Sequence, residues 1–349
     1  MPTIELGYIF NFLDWKDKLN LQEAFPEMSR ILTTTYAWKT FSAGKQKDLQ
    51  RSKEEVACVQ RYGHLFQHCI LWLGRPCRTS WECTCLFDSL FMDSVFPVLA
   101  SLVDKCKVMT SLRLYHPSHV TPESDDTQIF KQYQRAIDKL LMYALCKRTF
   151  RLELCGLQYP NEQIRPISLR FLDYYISNPQ VLDMVTVLDV SGNADGRLHP
   201  VLPLFCLQAM PSLVTLKVPI HCITMATIQC VVLKSLQNLY LLSNDSTVDL
   251  SHFELKHFDW LHLHVPHAQN FGVHYIFKQR VIRDTDFVVN PFVRSICLDS
   301  LCKPLTDDLL LVMADRYGKS LELFALVHSA WMPSLRVSDF SSLLAYVRG

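Results

Sequence analysis

Two rhythms of apolar residues alternate along this chain. A spacing of apolar-x-x-Leu-x-Leu-x-x-Asn is complete at Val185, Leu188, Val190 and Asn193, and again at Leu236, Leu239, Leu241 and Asn244. Copies without the Asn occur at Met109/Leu112/Leu114, Thr149/Leu152/Leu154, Leu213/Leu216/Val218, Phe258/Leu261/Leu263, Val293/Ile296/Leu298 and Gly318/Leu321/Leu323. His68/Leu71/Leu73 reads as a first, degenerate copy. The Leu-x-Leu pair has the period of two that a short strand with one buried face requires. The Asn can satisfy backbone groups left unpaired where the chain leaves the strand.

The second rhythm is helical. Phe96, Leu99, Leu102, Val103 and Cys106 predict a helix over 96–108. Ile129, Tyr133, Ile137, Leu140, Leu141 and Leu145 predict one over 128–145. A third covers Pro304 to Tyr317, with Gly318 as its stop. Strand, turn and helix recurring at roughly 20–40 residues are the signature of a solenoid, because each unit can bury its apolar face only against its neighbours. The expected fold class is therefore α/β. An ordinary α/β domain with scattered Leu-x-Leu strands is the alternative. Polar stretches punctuate the pattern. His116 to Thr127, with Pro117 and Pro122, reads as an exposed loop, and 42–52 as a polar connector carrying the first domain boundary. Long insertions are expected at 116–128 and 265–290.

At the start of the chain, Leu6, Ile9, Phe10 and Leu13 make an i, i+3, i+4, i+7 stripe. Leu19, Ala24, Met28, Ile31 and Leu32 can supply two further short helices. So short an apolar cluster cannot bury itself alone and needs a partner or the following domain.

Composition narrows the chemistry. The 349 residues carry 35 basic and 34 acidic side chains, a net charge of +1, which offers no global field for nucleic acid or an anionic membrane. Glu5 and Asp14 interrupt the early apolar stretch, so no signal peptide is expected, and no apolar run is long enough to span a membrane. The 13 cysteines are odd in number and irregularly spaced, which suits reduced thiols in the cytoplasm or nucleus. Only 10 glycines are present, too few to favour phosphate-cradling loops. Ser191–Gly196 falls where the repeat motif needs a turn, so it reads as structure. No nucleophile elbow, Walker loop, zinc-protease helix or kinase motif is present. Cys77, Cys83 and Cys85 lack zinc-knuckle spacing. His262 and His264 share a strand face but have no nearby Cys or carboxylate to complete a metal site. Neither a metal nor a cofactor is expected.

The side chains flanking each Leu-x-Leu pair would line a concave sheet. They are Arg113, Tyr115, Arg151, Glu153, Asp189, Lys217, Tyr240, Trp260, His262, His264, Asp299 and Glu322. Tyr, Trp and Arg on such a face suit recognition of a protein partner.

Residues 2–41 resemble an F-box. Pro2, Leu6, Ile9, Phe10 and Leu13 stand at that family's Pro, apolar, Ile-Phe and Leu positions. Asp17-Lys18-Leu19 stands near its Asp-Leu pair, and Trp38 with Phe41 near its closing Trp. The strand copies are similar to leucine-rich repeats. Together they resemble F-box proteins with a C-terminal repeat domain. That resemblance implies an F-box-like helical domain at 1–45, a helical linker at 46–64 and a repeat solenoid (a horseshoe) at 65–349. It implies that Pro2, Leu6, Ile9, Phe10, Leu13 and Leu19 bind a Skp-type adaptor, and through it a cullin. The chain would then be the non-catalytic substrate-recognition part of a ubiquitin ligase, its solenoid holding an unknown protein substrate. Two alternatives stay open: a repeat-protein scaffold whose N-terminal helix only caps the array, and an enzyme on an α/β scaffold.

Overall fold

The computed structural model describes residues 3–44, 49–73, 89–116, 131, 135, 137–139, 150–155, 175, 177–190, 207–220, 235–243, 271–277, 292–299, 307–327 and 336–337. The fold is mixed α/β with parallel strands in chain order. The chain forms two compact units, Met1–Gln158 with Ile164–Val185, and Tyr159–Gln163 with Thr186–Gly349.

The first unit opens with helices α1 (Thr3–Asn11), α2 (Trp15–Ala24) and α3 (Ser29–Leu32), the last two joined by a 3-10 turn at Pro26–Met28. Strand β1 (Thr40–Ala43), helix α4 (Leu49–Tyr62), β2 (His68–Trp72), helix α5 (Ser89–Lys105), β3 (Ser111–Tyr115), β4 (Arg151–Cys155) and the short α6 (Pro179–Leu182) follow. The four strands pair in parallel, in order. Their register builds two buried columns. Phe41, Cys69, Leu112 and Leu152 form one, and Ala43, Leu71, Leu114 and Leu154 the other. Each buried Leu contributes about 1.5–3 kcal/mol of apolar transfer. Residues between the columns are half-exposed, so one sheet face is buried and the other open.

This register corrects the sequence reading twice. The copy assigned to His68/Leu71/Leu73 is offset by two: Phe66, Cys69 and Leu71 align with Met109, Leu112 and Leu114, and a Cys holds the Leu position. A further copy, Trp38/Phe41/Ala43, precedes it. It escaped notice because two aromatics and an Ala replace the Leu pattern. Residues 40–43, placed by sequence in the helical N-terminal segment, are therefore part of the sheet.

The N-terminal helices join the sheet through a dense aromatic packing. The indole of Trp38 is stacked on Tyr62 at 4.3 Å and donates its Nε1–H to the Leu32 carbonyl. Phe41 stacks on Phe66 at 4.5 Å. Asn11 Oδ1 accepts the Thr40 N–H at 3.0 Å, tying the end of α1 to the start of β1. After β1 the chain turns at Gly44 with φ 81°, a left-handed conformation that favours glycine. A Cβ there would run into the Trp72 carbonyl oxygen.

In the second unit, β5 (Val185–Asp189), β6 (Thr215–Pro219), β7 (Asn238–Ser243), β8 (Gly272–Phe277), β9 (Val293–Asp299) and β10 (Leu323–Val327) pair in parallel, and β11 (Arg336–Val337) closes antiparallel on β10. Leu188, Leu216 and Leu239 form a buried column of the same kind. Helix α7 (Asp307–Tyr317) ends as expected, the Gly318 N–H bonding the Ala314 carbonyl at 2.9 Å. The helix expected over 96–108 exists as α5, and of that over 128–145 the described residues are helical, with Ile137 buried.

Two further expectations change here. The neighbour of β7 is β8, which lies inside the stretch 265–290 read as an insertion. The copy at Phe258/Leu261/Leu263 and the motif residues Asn193 and Asn244 lie outside the described residues, as do Cys77, Cys83, Cys85 and most of the 116–128 loop. The last copy is out of register. Phe324 aligns with Ile296 and is buried, whereas Leu323 aligns with Ser295 and is 50% exposed. A β-bulge between Val273 and His274, opposite Arg294, shifts the register by one on the way.

Candidate interaction surfaces

Three surfaces gather the residues that sequence reading nominated, and each belongs to one unit. The first is α1. Its inward side is Gly7 and Phe10, and its outward side is Tyr8 and Ile9, with Phe12 and Leu13 exposed just beyond the helix end. Phe12 is 90% and Ile9 50% exposed. The Tyr8 ring lies 5.1 Å from that of Tyr36, itself exposed, which widens the apolar patch. A helix apolar on both sides has more than a core to serve, and large exposed apolar patches mark interaction sites.

The stripe Leu6/Ile9/Phe10/Leu13 is accordingly split. Phe10 packs inward, Leu6 and Leu19 are half-buried, and Ile9 and Leu13 face out. Adjacent positions on a helix lie about 100° apart, so Ile9 and Phe10 cannot serve one narrow contact. Tyr8 and Phe12 were missed, because the i, i+3, i+4, i+7 stripe straddles both sides of the helix and leaves these two positions out. Pro2 lies outside the described residues.

Behind this patch sits a buried charged cluster. Asp14 caps α2, accepting the Trp15 N–H at 2.7 Å, and pairs with Arg51 at 3.3 Å. Arg51 lies 3.6 Å from Glu55, whose carboxylate also accepts the Gly44 N–H at 3.3 Å. Burial pushes Glu55 up to about 7, against the lowering influence of the Gly44 N–H and Arg51. Lys18 is 1% exposed, with its ammonium 5.0 Å from the centre of the Trp38 ring. Desolvation lowers it to about 8. These groups fasten α2 to α4 and to the end of β1.

The second surface is the open sheet face of the first unit. His68, Ser111 and Arg151 form one row across β2–β4, Ile70, Arg113 and Glu153 the next, and Trp72 and Tyr115 the third. Burial disfavours charge on Arg113, but its hydrogen bond to the Glu153 carboxylate outweighs this and holds the guanidinium charged. His68 Nδ1 and Ser111 Oγ share a hydrogen bond of 2.7 Å. Burial, then Lys39, lower the His68 pKa, so the imidazole is neutral near pH 7. Trp72 and Tyr115 stack at 3.8 Å. Arg113, Tyr115, Arg151 and Glu153 thus stand where the strand pattern put them. His68 and Trp72 were overlooked through the offset of the β2 copy, and Ser111 because it precedes the Leu pair of β3. At the end of β3, His116 is buried, its Nδ1 bonding the Cys155 carbonyl at 3.1 Å and its Nε2 the Tyr175 hydroxyl at 3.3 Å. Burial lowers it to about 4, so it is a neutral pin between β3 and β4.

The third surface is the open face of the second unit. Lys217 and Asp189 pair across β5 and β6 at 3.1 Å. Tyr240 stacks on His274 at 4.3 Å. His274 Nε2 lies 3.3 Å from Asn238 Oδ1, and Nδ1 lies 2.7 Å from Ser295 Oγ. The amide oxygen can only accept, so Nε2 carries the proton and Nδ1 accepts from the serine hydroxyl. Burial lowers the pKa of this histidine too. Asp189, Lys217 and Tyr240 lie half-buried on the strands the sequence pattern assigned them. Trp260, His262 and His264 lie outside the described residues, and the described neighbour of Tyr240 is His274 instead. Its strand, Val273-His274-Tyr275, alternates like the others but has no Leu. Asp299 ends β9 opposite Val327. Glu322 precedes β10 rather than flanking a buried pair, and its carboxylate meets Arg294 at 2.8 Å.

Among the described residues no three His, Cys, Asp or Glu side chains gather as a metal site, and no helix is long and apolar enough to cross a membrane. No protein-family profile matches the chain, and no curated protein shows significant similarity to its sequence.

Proposed function

We propose that this chain is the substrate-recognition subunit of a Skp–cullin–F-box ubiquitin ligase. Its N-terminal helices dock the Skp-type adaptor, and a leucine-rich-repeat-like solenoid holds the substrate, in the cytoplasm or nucleus. The observation that carries this reading is the exposed apolar patch of Tyr8, Ile9, Phe12 and Leu13 on a segment similar to an F-box. Parallel strands in chain order also support it. Parallel sheets covered on both faces read as near-continuous apolar runs, whereas these alternate buried and half-exposed residues. One covered face and one open face is what stacked repeats produce. The ligase role then requires no chemistry in this chain: holding substrate beside the conjugating enzyme raises its effective concentration.

The test is co-expression with a Skp-type adaptor. The wild-type chain should co-purify with it, and Ile9→Asp with Phe12→Asp should abolish this while the far-ultraviolet circular dichroism is kept, since both side chains are exposed. Failure of the wild type to bind, or persistence in the double variant, rejects the assignment.

A second reading has its own support. The inward side of α1–α3, with Phe10, Trp15 and Leu32, packs against the sheet unit as a terminal cap would. On that reading the chain is a repeat scaffold that ignores the adaptor and is monodisperse alone.

A further inference from the structure

The geometry points to a recognition cleft at the amino ends of β2, β3 and β4 that takes an anionic oxygen group, with the Trp72–Tyr115 pair as a shelf for an apolar side chain of the same extended peptide. This binding role rests on the protein-recognition reading of the sheet face given above. It adds the chemistry of the ligand.

A cleft of about 490 Å³ opens there, lined by His68, Thr110, Ser111, Arg113, Arg151 and Glu153. Its charges do not cancel. Arg113 and Glu153 neutralise one another. Arg151 is exposed and its side chain makes no ion pair among the described residues. Lys39, one residue before β1, is close enough to disfavour a charge on His68, and it too has no ion-pair partner among the described residues. Two cations therefore line the cleft against one carboxylate, beside a neutral imidazole, and Lys39, whose carbonyl accepts the His68 N–H at 2.9 Å, adds positive potential at His68. In a chain of net charge +1 this excess is local.

The donors fit an oxyanion. A guanidinium presents a planar fork to two oxygens of a carboxylate or phosphate. The free Arg151 fork and the His68–Ser111 pair, which retains a donor for a ligand, line one end of the face, with Lys39 within electrostatic reach of His68. An excess of one charge in the lining, with Lys39 close to His68, suits one anionic group on a peptide. It is too small for a polyanion, whose binding draws on many phosphate contacts.

The register supplies a second constraint. Trp72 and Tyr115 lie on the same face, four residues along the strands from His68 and Ser111. At roughly 3.3 Å per residue that is about 13 Å, and a peptide extended along the strands rises equally fast. The ligand should therefore carry its anionic group and an apolar side chain four residues apart. Ile70 lies between the two ends and favours an uncharged spacer.

An array of short synthetic peptides, probed with the purified full-length chain, tests this. Each peptide carries one Glu, one phosphoserine or one neutral Gln, and one Leu at varied separation from it. Binding should require Glu or phosphoserine, peak at a separation of four, and weaken with added salt. Binding of Glu peptides alone assigns a carboxylate source, and of phosphoserine peptides alone a phosphate source. Arg151→Glu and, separately, Lys39→Glu should each weaken the best peptide by about tenfold or more in fluorescence anisotropy, with circular dichroism unchanged. Trp72→Ala should erase the preference for separation. Equal binding of Gln peptides, indifference to both charge reversals, or displacement by a polyuridine strand would overturn the assignment. The adaptor test uses α1 variants and no peptide, so either result can fail while the other stands.

Discussion

Replacing Glu55 by Gln tests the buried charged cluster that fastens the N-terminal helices to the sheet. Glu55 is 2% exposed on α4, with Gly44 N–H and Arg51 as favourable partners and Asp14 as an unfavourable neighbour. Burial outweighs those partners and raises the carboxyl from 4.5 to about 7. A raised acid means that the folded state holds the proton more tightly than the unfolded state. The resulting stabilisation is fully present below about pH 4.5 and is lost as pH rises through about 7. At about 1.36 kcal/mol for each pH unit of displacement, the change across this window is on the order of 3 kcal/mol. Gln resembles the protonated acid and does not titrate. It keeps an oxygen for the Gly44 N–H but gives Arg51 no charge, so the net gain at alkaline pH should be about 1–2 kcal/mol. Buried His116, whose pKa is lowered to about 4, imposes the opposite slope on total stability in acid. The informative quantity is therefore the difference between variant and wild type, in which the histidines cancel. Urea unfolding followed by tryptophan fluorescence from about pH 4.5 to about 8 measures it. The difference should move in favour of the variant as pH rises. A difference that does not change with pH, or a variant less stable at the alkaline end, would refute the reasoning.

Two further substitutions probe the backbone and the columns. Gly44→Ala should cost at least about 2 kcal/mol in urea unfolding, since it combines a left-handed φ of 81° with a Cβ driven into the Trp72 carbonyl. An unchanged midpoint would mean that the turn is free to rearrange. Leu112→Ala should cost about 2–5 kcal/mol, being fully buried between Cys69 and Leu152, whereas Leu323→Ala should cost under about 0.5 kcal/mol because Leu323 lies on the open face. Equal losses would contradict the register of β10.

Much of the strand set could be read from period-two Leu pairs. Where Leu filled both positions, as at Leu112/Leu114, Leu152/Leu154 and Leu239/Leu241, the strand, the buried face and the flanking residues all came out correctly. The reading slipped where chemistry substituted for Leu. Cys69 in β2, Phe41 and Ala43 in β1, and Val273 and Tyr275 in β8 occupy equivalent buried positions without announcing them. Burial asks for apolar volume, and several side chains supply it. At β10 the copy is offset by three residues, an odd number, which moves every side chain to the other face.

The periods could be read along the chain alone: most of the strands and helices, the apolar character of one sheet face, and the wealth of apolar residues in α1. Local periodicity encodes those features because each depends on spacing within one element. Tertiary contacts set which side of α1 is covered, that β8 and not an earlier segment lies beside β7, and that Ser111, Arg151 and Glu153 share a cleft with His68. These depend on the pairing of strands far apart in the chain. A bulge at Arg294 shifts that pairing without altering any local period, and a Cys in place of a Leu hides it from a pattern built on Leu.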